Sequence, residues 1–303
     1  MVALRDGVYA AAVTPRRQSL QDINLGVLWG LIDFLNDRGI NGIVLMGATG
    51  EFVHYSNSER MRMMGLAPRR SRTPVILNVS HSNLDGAVEL AQAAAASGAA
   101  AVLLTPPHFY VYDAESVRAW YLRFVEESDI DIPVLMYNLP QFCSGIPLGV
   151  AAELLAQNVV QGIKDSSGNW EYMQGLLRLR EEHDFRLIAG NDRLFAAARP
   201  PGLTGLISGC ACAVPELLLA LDRALGSANA EAAAILERHL NEFIDWIERF
   251  PVPVGIREAA ILRGQKLGPS AAPLSVAQQS AMLEFREWFP AWLKVMLADC
   301  GRA

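Results

Sequence analysis

Val159-Val160-Gln161-Gly162-Ile163-Lys164-Asp165-Ser166-Ser167-Gly168 reads as a β-strand that is apolar up to a single lysine and then stops in a polar turn closed by glycine. A run this short, β-branched and bounded by turn residues is a buried strand rather than a helix. Seven more such runs can be read outward from it: Val8 to Val13, Gly42 to Met46, Pro74 to Val79, Ala101 to Leu104, Pro133 to Tyr137, Arg186 to Ala189 and Gly205 to Ser208. Between most of them lie amphipathic or alanine-rich stretches of helical period, such as Leu25 to Arg38, Leu84 to Ser97, Ala114 to Glu127 and Tyr172 to His183. The strands alternate little between apolar and polar residues, which is the pattern of a parallel sheet covered by helices. Strand and helix alternating in this way predict an α/β fold, a closed (β/α)8 TIM barrel.

Beyond Pro215 the pattern turns almost wholly helical, through Glu216 to Leu225, Ala230 to Arg249, Pro253 to Leu267 and Ser275 to Leu297. The expected organisation is a barrel over residues 1–225 and a C-terminal helical extension over residues 226–303. No Pro/Gly/Ser-rich linker or charge run separates them, so the two are read as one structural unit.

The chain has 303 residues, of which 51% are hydrophobic and 19% charged, with a formal net charge of −6. That balance lacks the basic stripe that nucleic acid or an anionic membrane surface requires, and points to a small-molecule partner. The start, MVALRDGVYAAAVTP, has no basic segment followed by a long apolar run, and no later stretch has the length of a membrane span. Cys143, Cys210, Cys212 and Cys300 form no C-x-x-C pair, which fits reduced thiols in a cytoplasm.

In a barrel of this kind the chemistry sits where the strands end. Those ends are Gly47-Ala48-Thr49-Gly50-Glu51, Tyr137-Asn138-Leu139-Pro140, Lys164-Asp165-Ser166-Ser167-Gly168 and Gly190-Asn191-Asp192. Lys164 closes an apolar run, where desolvation disfavours the ammonium; a neutral lysine attacks a carbonyl, and the resulting imine is an electron sink. The competing reading is a lysine in a structural ion pair with Asp165 or another carboxylate. Tyr137 ends the neighbouring strand, about 4.8 Å away, close enough for its phenol to exchange protons with a substrate held on Lys164. Alternatively its hydroxyl caps the barrel core. The two glycines around Ala48 and Thr49 let backbone N–H groups face an anion, with the Thr49 hydroxyl as a further donor. Ser56-Asn57-Ser58-Glu59 reads as a capping box for the next helix. The five histidines, His54, His81, His108, His183 and His239, form no metal-ligating spacing, and no glycine-rich nucleotide loop is present, so neither metal nor cofactor is expected.

Taken together, G-A-T-G-E, Y-N-L-P and G-I-K-D-S-S-G stand in the order and spacing of one family, and from about Gly7 onward the chain resembles the dihydrodipicolinate synthase / N-acetylneuraminate lyase family. The resemblance implies a Schiff-base (class I) aldolase or lyase, with Lys164 as the imine-forming lysine and Tyr137 as the proton-shuttling tyrosine. It implies further that Ala48 and Thr49 hold the carboxylate of a pyruvate-like 2-oxo acid. Ile207 and Gly190 fall at pocket positions, Asp192 falls where sugar-acid members contact substrate hydroxyls, and Tyr110 falls in an aromatic loop reaching into a neighbouring subunit. The same resemblance implies a homotetramer built from dimers.

Two positions depart from the family pattern. Ala48 stands where many members have a Thr or Ser that passes the tyrosine's proton onward; a substrate hydroxyl or a water could replace it. Phe142 stands where dihydrodipicolinate synthases have a carboxylate-reading arginine, and an aromatic ring cannot do that work. The expectation is therefore an aldolase that interconverts a 2-keto-3-deoxy sugar acid, or a related hydroxylated 2-oxo acid, with pyruvate and an aldehyde. A dehydratase or hydratase-aldolase on the same lysine imine, and a non-catalytic 2-oxo acid binding protein, are the alternatives.

Overall fold

The structure, a computed structural model, describes residues 4–17 and 22–303. Parallel strands close into a barrel in sequence order: β1 (Gly7–Ala11), β2 (Gly42–Leu45), β3 (Val75–Asn78), β4 (Ala101–Leu104), β5 (Val134–Asn138), β6 (Gly162–Asp165), β7 (Arg186–Ala189) and β8 (Gly205–Ser208). The circle is completed where β8 pairs with β1, Gly7 opposite Gly205 and Tyr9 opposite Ile207. The expected (β/α)8 architecture is thus present, with the helical extension after it.

Strand parity divides the apolar residues into two cores. Tyr9, Ala11, Val44, Leu103, Leu135, Tyr137, Ile188 and Ile207 pack inside the barrel. Their sequence neighbours Val8, Ala10, Ile43, Leu104, Met136 and Leu187 belong to the larger core between strands and helices. On β6 it is Ile163 that packs outward. Alternation then turns its neighbour Lys164 into the barrel.

The helices between strands begin where a short polar side chain can accept an otherwise unpaired backbone N–H. Asn24, Asn83, Asp113 and Asn169 do this ahead of helices Leu25–Asp37, Leu84–Ser97, Ala114–Ser128 and Trp170–Glu182. The capping expected at Ser56 is half realised, since its Oγ accepts from Glu59 N while the Glu59 carboxylate turns to Arg62. A reciprocal box forms instead at Ser275 and Gln278, opening helix Val276–Cys300.

After helix Pro215–Gly226 come Ala230–Ile247, Val254–Leu262 and Val276–Cys300. The first and last of these three are fastened by stacked rings, with Trp246 5.1 Å from Trp288 and Phe243 5.2 Å from Trp292, while Trp288 and Trp292 stack on each other along the last helix. The middle one stops earlier than its apolar pattern predicts. Gly264 and Gly268 adopt left-handed φ of 93° and 77°, which ends the helix and turns the chain back toward β1. Strand β6 also starts later than its apolar run, because Val159 N bonds to Leu154 O and closes the preceding helix before pairing begins at Gly162.

Candidate active site

Tyr137 and Lys164 are opposite one another in the β5–β6 register, and so are Asn138 and Asp165. The inward pair forms the site: Lys164 is 4% exposed, Tyr137 2%, and the lysine Nζ sits 4.0 Å from the centre of the tyrosine ring. Among the described residues no salt bridge joins Lys164 to Asp165 or another carboxylate, and the carboxylate that its charge acts on is Asp192. The outward pair is a brace. Asn138 Nδ2 donates to Asp165 Oδ1 at 2.7 Å, and Ser167 donates to the same carboxylate from its N–H and its hydroxyl. Burial raises the Asp165 pKa, while these hydrogen bonds pull it back down. Asn138 Oδ1 in turn accepts from Ile146 N, fixing the loop beyond β5.

Both inward side chains open into a cavity of about 380 Å³ at the C-terminal ends of the strands. Ala48, Thr49, Phe142, Gly190, Asp192 and Ile207, all singled out from sequence, line it as well. The Ala48 and Thr49 N–H groups make no backbone hydrogen bond among the described residues, so they remain available to an anion. Gly190 is there for space: a Cβ would fall on Ser166 Oγ and lie 2.6 Å from Lys164 Cε. Tyr110 is placed elsewhere. It is 67% exposed on the loop after β4, stacked edge-on against Phe109.

Two further features of the lining were not read from sequence. Ser166, two residues beyond Lys164 and therefore of the same parity, lines the cavity with a buried hydroxyl that has no partner among the described residues; strand alternation could have found it. The wall facing the lysine includes Ile244, Ile247, Phe250 and Ile256 from the extension, for which no local pattern gives a signal. Asp192 is only partly buried as a residue, yet its Oδ1 is fully buried and makes no close hydrogen bond among the described residues, although the Ser208 and Cys210 side chains lie near enough to interact with the carboxylate. Burial pushes its carboxyl up to about 6, against the downward pull of the Ser208 and Cys210 side chains and the Lys164 charge.

Buried polar atoms left without partners cost free energy, so Ser166 Oγ and Asp192 Oδ1 are polar groups that a bound molecule could satisfy. The neighbouring thiols are poor rivals to the lysine as nucleophiles, because burial pushes Cys143 up to about 11 and Cys210 well above its ordinary value. No group of three or more His, Cys, Asp or Glu among the described residues is arranged to hold a metal ion.

A lysine and a tyrosine side by side at the strand ends of a (β/α)8 barrel are equipped for imine formation and proton transfer, the chemistry of a class I aldolase or lyase. The chain belongs to the dihydrodipicolinate synthetase family, whose profile matches residues 5–290. Enzymes of this family are carbon–carbon lyases and synthases that work through a covalent lysine–pyruvate Schiff base without an added cofactor. Among its relatives is a 4-hydroxy-tetrahydrodipicolinate synthase of Methanoculleus marisnigri, 26% identical over 93% of this chain and 97% of that one. An uncharacterized DapA-like lyase of Chloroflexus aurantiacus is 30% identical over 84% of this chain and 85% of its own. The fold is shared with the 4-hydroxy-tetrahydrodipicolinate synthase of Methylacidiphilum fumariolicum SolV, at a TM-score of 0.88 and 23% identity, covering 98% of both chains. It is shared also with Escherichia coli K12 YagE, solved in complex with pyruvate, at a TM-score of 0.86 and 21% identity over 96% of this chain and 99% of that one.

Proposed function

We propose that this class I pyruvate aldolase cleaves, or forms, a 2-keto-3-deoxy sugar acid or a related hydroxylated 2-oxo acid, with Lys164 as the Schiff-base residue and Tyr137 as its acid and base. The observation that carries this reading is the shared cavity, in which the Lys164–Tyr137 pair is joined by two buried polar groups, the Ser166 hydroxyl and the Asp192 carboxylate. The substrate carboxylate binds the Ala48 and Thr49 N–H groups and the Thr49 hydroxyl, and the Lys164 amine attacks C2. Loss of water leaves an iminium. Tyr137 then takes the proton of the C4 hydroxyl as the C3–C4 bond breaks toward the iminium, releasing the aldehyde and an enamine. Protonation at C3 and hydrolysis return pyruvate and the free amine. Because Ala48 offers no hydroxyl, the substrate's own hydroxyls or a water carry the tyrosine's proton onward.

The name carried by several curated relatives is not extended to this chain. Phe142, 61% exposed at the mouth, offers no charge to a second carboxylate. Arg193, the other cation in the lining besides Lys164, is held by Asp245 at 2.7 Å and Glu248 at 2.8 Å. We further propose a homotetramer in which Tyr110, with exposed Phe109 and Val111 beside it, enters a neighbouring copy. A cytoplasmic location is proposed with it, supported by four free cysteines. No helix among the described residues is long and apolar enough to cross a membrane. The barrel and the 226–303 extension are read as one unit, since the extension supplies part of the cavity wall.

Intact mass after incubation with pyruvate and borohydride tests the first step, with a pyruvyl-sized gain expected in wild type and absent from Lys164→Ala. Panels of 2-keto-3-deoxy acids then separate the chemistries: pyruvate plus an aldehyde means aldol cleavage, and a deoxy-dioxo acid without pyruvate means dehydration. No adduct and no turnover would mean the non-catalytic alternative. Size-exclusion chromatography with light scattering reports the assembly, and a monomer would remove the role given to Tyr110.

A further inference from the structure

The turn Met46–Glu51 is bounded by two residues in left-handed backbone, Met46 at φ 58° and Glu51 at φ 56°, a conformation that non-glycine residues adopt only when their surroundings hold them. It is also tightly wound, since a Cβ on Gly50 would meet the Met46 backbone at 2.9 Å. What holds its far end is ionic and buried. Glu51 Oε1 pairs with Arg16 Nη2 at 3.0 Å, and Glu51 Oε2 with Arg257 Nη2 at 2.6 Å. The three residues are 2–7% exposed. Arg257 also donates to Thr14 O and Leu267 O, while Thr14 Oγ1 donates to Gly50 O at 2.6 Å. Arg16 N bonds to that same Leu267 carbonyl.

The cluster thus ties three distant pieces of chain together: the segment after β1, the turn after β2, and helix Val254–Leu262 of the extension. One residue before Arg257 on that helix, Ile256 lines the cavity, and its Cδ1 and Thr49 Oγ1 both approach Gly209 closely enough that a Cβ there would stand 2.7 Å and 3.2 Å from them. Ile256 and Thr49 thus both stand beside Gly209 at the cavity, while Glu51 is tied to the same helix by its salt bridge to Arg257. Two cations around one carboxylate, out of water, make a directional lock, and losing one partner leaves charge buried without compensation.

We infer that Glu51 is a positioning residue for the carboxylate end of the substrate, and that Arg257 makes the C-terminal extension part of the active site by locking the Ala48-Thr49-Gly50 turn in its binding geometry. The inference rests on the proposed role of that turn. Its signature separates it from a general stabilising contact, because binding of the 2-oxo acid should suffer while the amine remains competent.

The test compares wild type with Glu51→Gln, which keeps the shape, and with Arg257→Met and Arg257→Lys, in borohydride trapping across pyruvate concentrations. In Glu51→Gln and Arg257→Met the pyruvate concentration for half-maximal trapping should rise by about tenfold or more, as expected for a displaced anchoring group. Trapping at saturating pyruvate should still reach completion, and Arg257→Lys should recover part of the loss. Hydrogen exchange on the pyruvate-free proteins provides a substrate-independent reading: amides of 46–52 should exchange faster in both neutral variants, while those of 159–168 should not. Half-saturation within twofold of wild type together with unchanged exchange at 46–52 would overturn the inference. Should Arg257→Met fail to fold, Glu51→Gln is judged by the same criteria. Wild type that is not trapped at all would count against the proposed function, leaving exchange at 46–52 to decide the lock.

Discussion

The wall of the cavity that carries Tyr137 and Lys164 comes from adjacent strands, whereas the wall facing it comes from the β2 turn and from helices such as the one bearing Arg257, 206 residues from Glu51. Backbone pairing alone brings Tyr137 and Lys164 together, and the Asn138–Asp165 hydrogen bond on the outer face holds that register. The other wall depends on side chains meeting across the fold: a buried ion cluster, Ile256 and Thr49 on either side of Gly209, and stacked rings between terminal helices. The comparison teaches that the pair proposed for the chemistry is placed by local strand pairing, whereas the proposed carboxylate anchor at Ala48 and Thr49 depends on contacts between segments far apart in the chain. Substitutions on the first should stop turnover, and those on the second should change what is bound and how tightly.

The largest break should come from Lys164→Ala, expected to lower turnover of any accepted 2-oxo acid by more than about 10⁴-fold, since no other nucleophile replaces the amine. Residual turnover within tenfold of wild type would remove Lys164 from the mechanism. Tyr137→Phe should cost about 10²–10⁴-fold in kcat while leaving the borohydride-trapped imine intact, the mark of a lost acid and base rather than a lost nucleophile. If trapping vanished along with turnover, the tyrosine would instead be needed for imine formation.

Gly190→Ala sharpens the comparison on the same wall, because the new methyl meets Ser166 Oγ and Lys164 Cε. We expect a loss of about 10²-fold in kcat/KM from the displaced lysine, with overpacking costing roughly 1–3 kcal/mol in urea unfolding. Normal kinetics would mean that Ser166 simply swings aside. On the facing wall, Ile256→Ala should raise KM for the full substrate by about tenfold with little change in trapping by pyruvate, the size of effect that lost apolar contact produces. A collapse of kcat instead would place the extension in the chemical step.

The smallest effect concerns Asp192. Its carboxyl is raised to about 6 from an ordinary 3.8, so the folded state favours the protonated form, and its contribution to stability declines as pH climbs from about 4 through 6. Asp192→Asn should therefore raise Tm by a few degrees at pH 8, with the advantage shrinking below about pH 6. Thermal melts at the two pH values check this, and a pH-independent difference would contradict the burial argument. The same substitution should flatten any pH dependence of KM for hydroxylated substrates near 6.

The linear sequence determined the barrel and the pairing of Tyr137 with Lys164. Eight β-rich runs with helices between them fix which strands are neighbours, and a period of two fixes which side chains point inward, so Lys164 and Tyr137 follow from local pattern and nearest-neighbour pairing. Parity would equally have delivered Ser166. Tertiary structure alone decided the rest: that Asp192 and Ser166 bring buried oxygens to the cavity, that helix Val254–Leu262 ends at Leu262 and faces the cavity, and that Arg257 meets Glu51. The physical reason is separation along the chain. A periodic pattern says which face of an element is apolar, but not which distant element covers it, and a buried charge finds its partner only when the whole chain has closed around it.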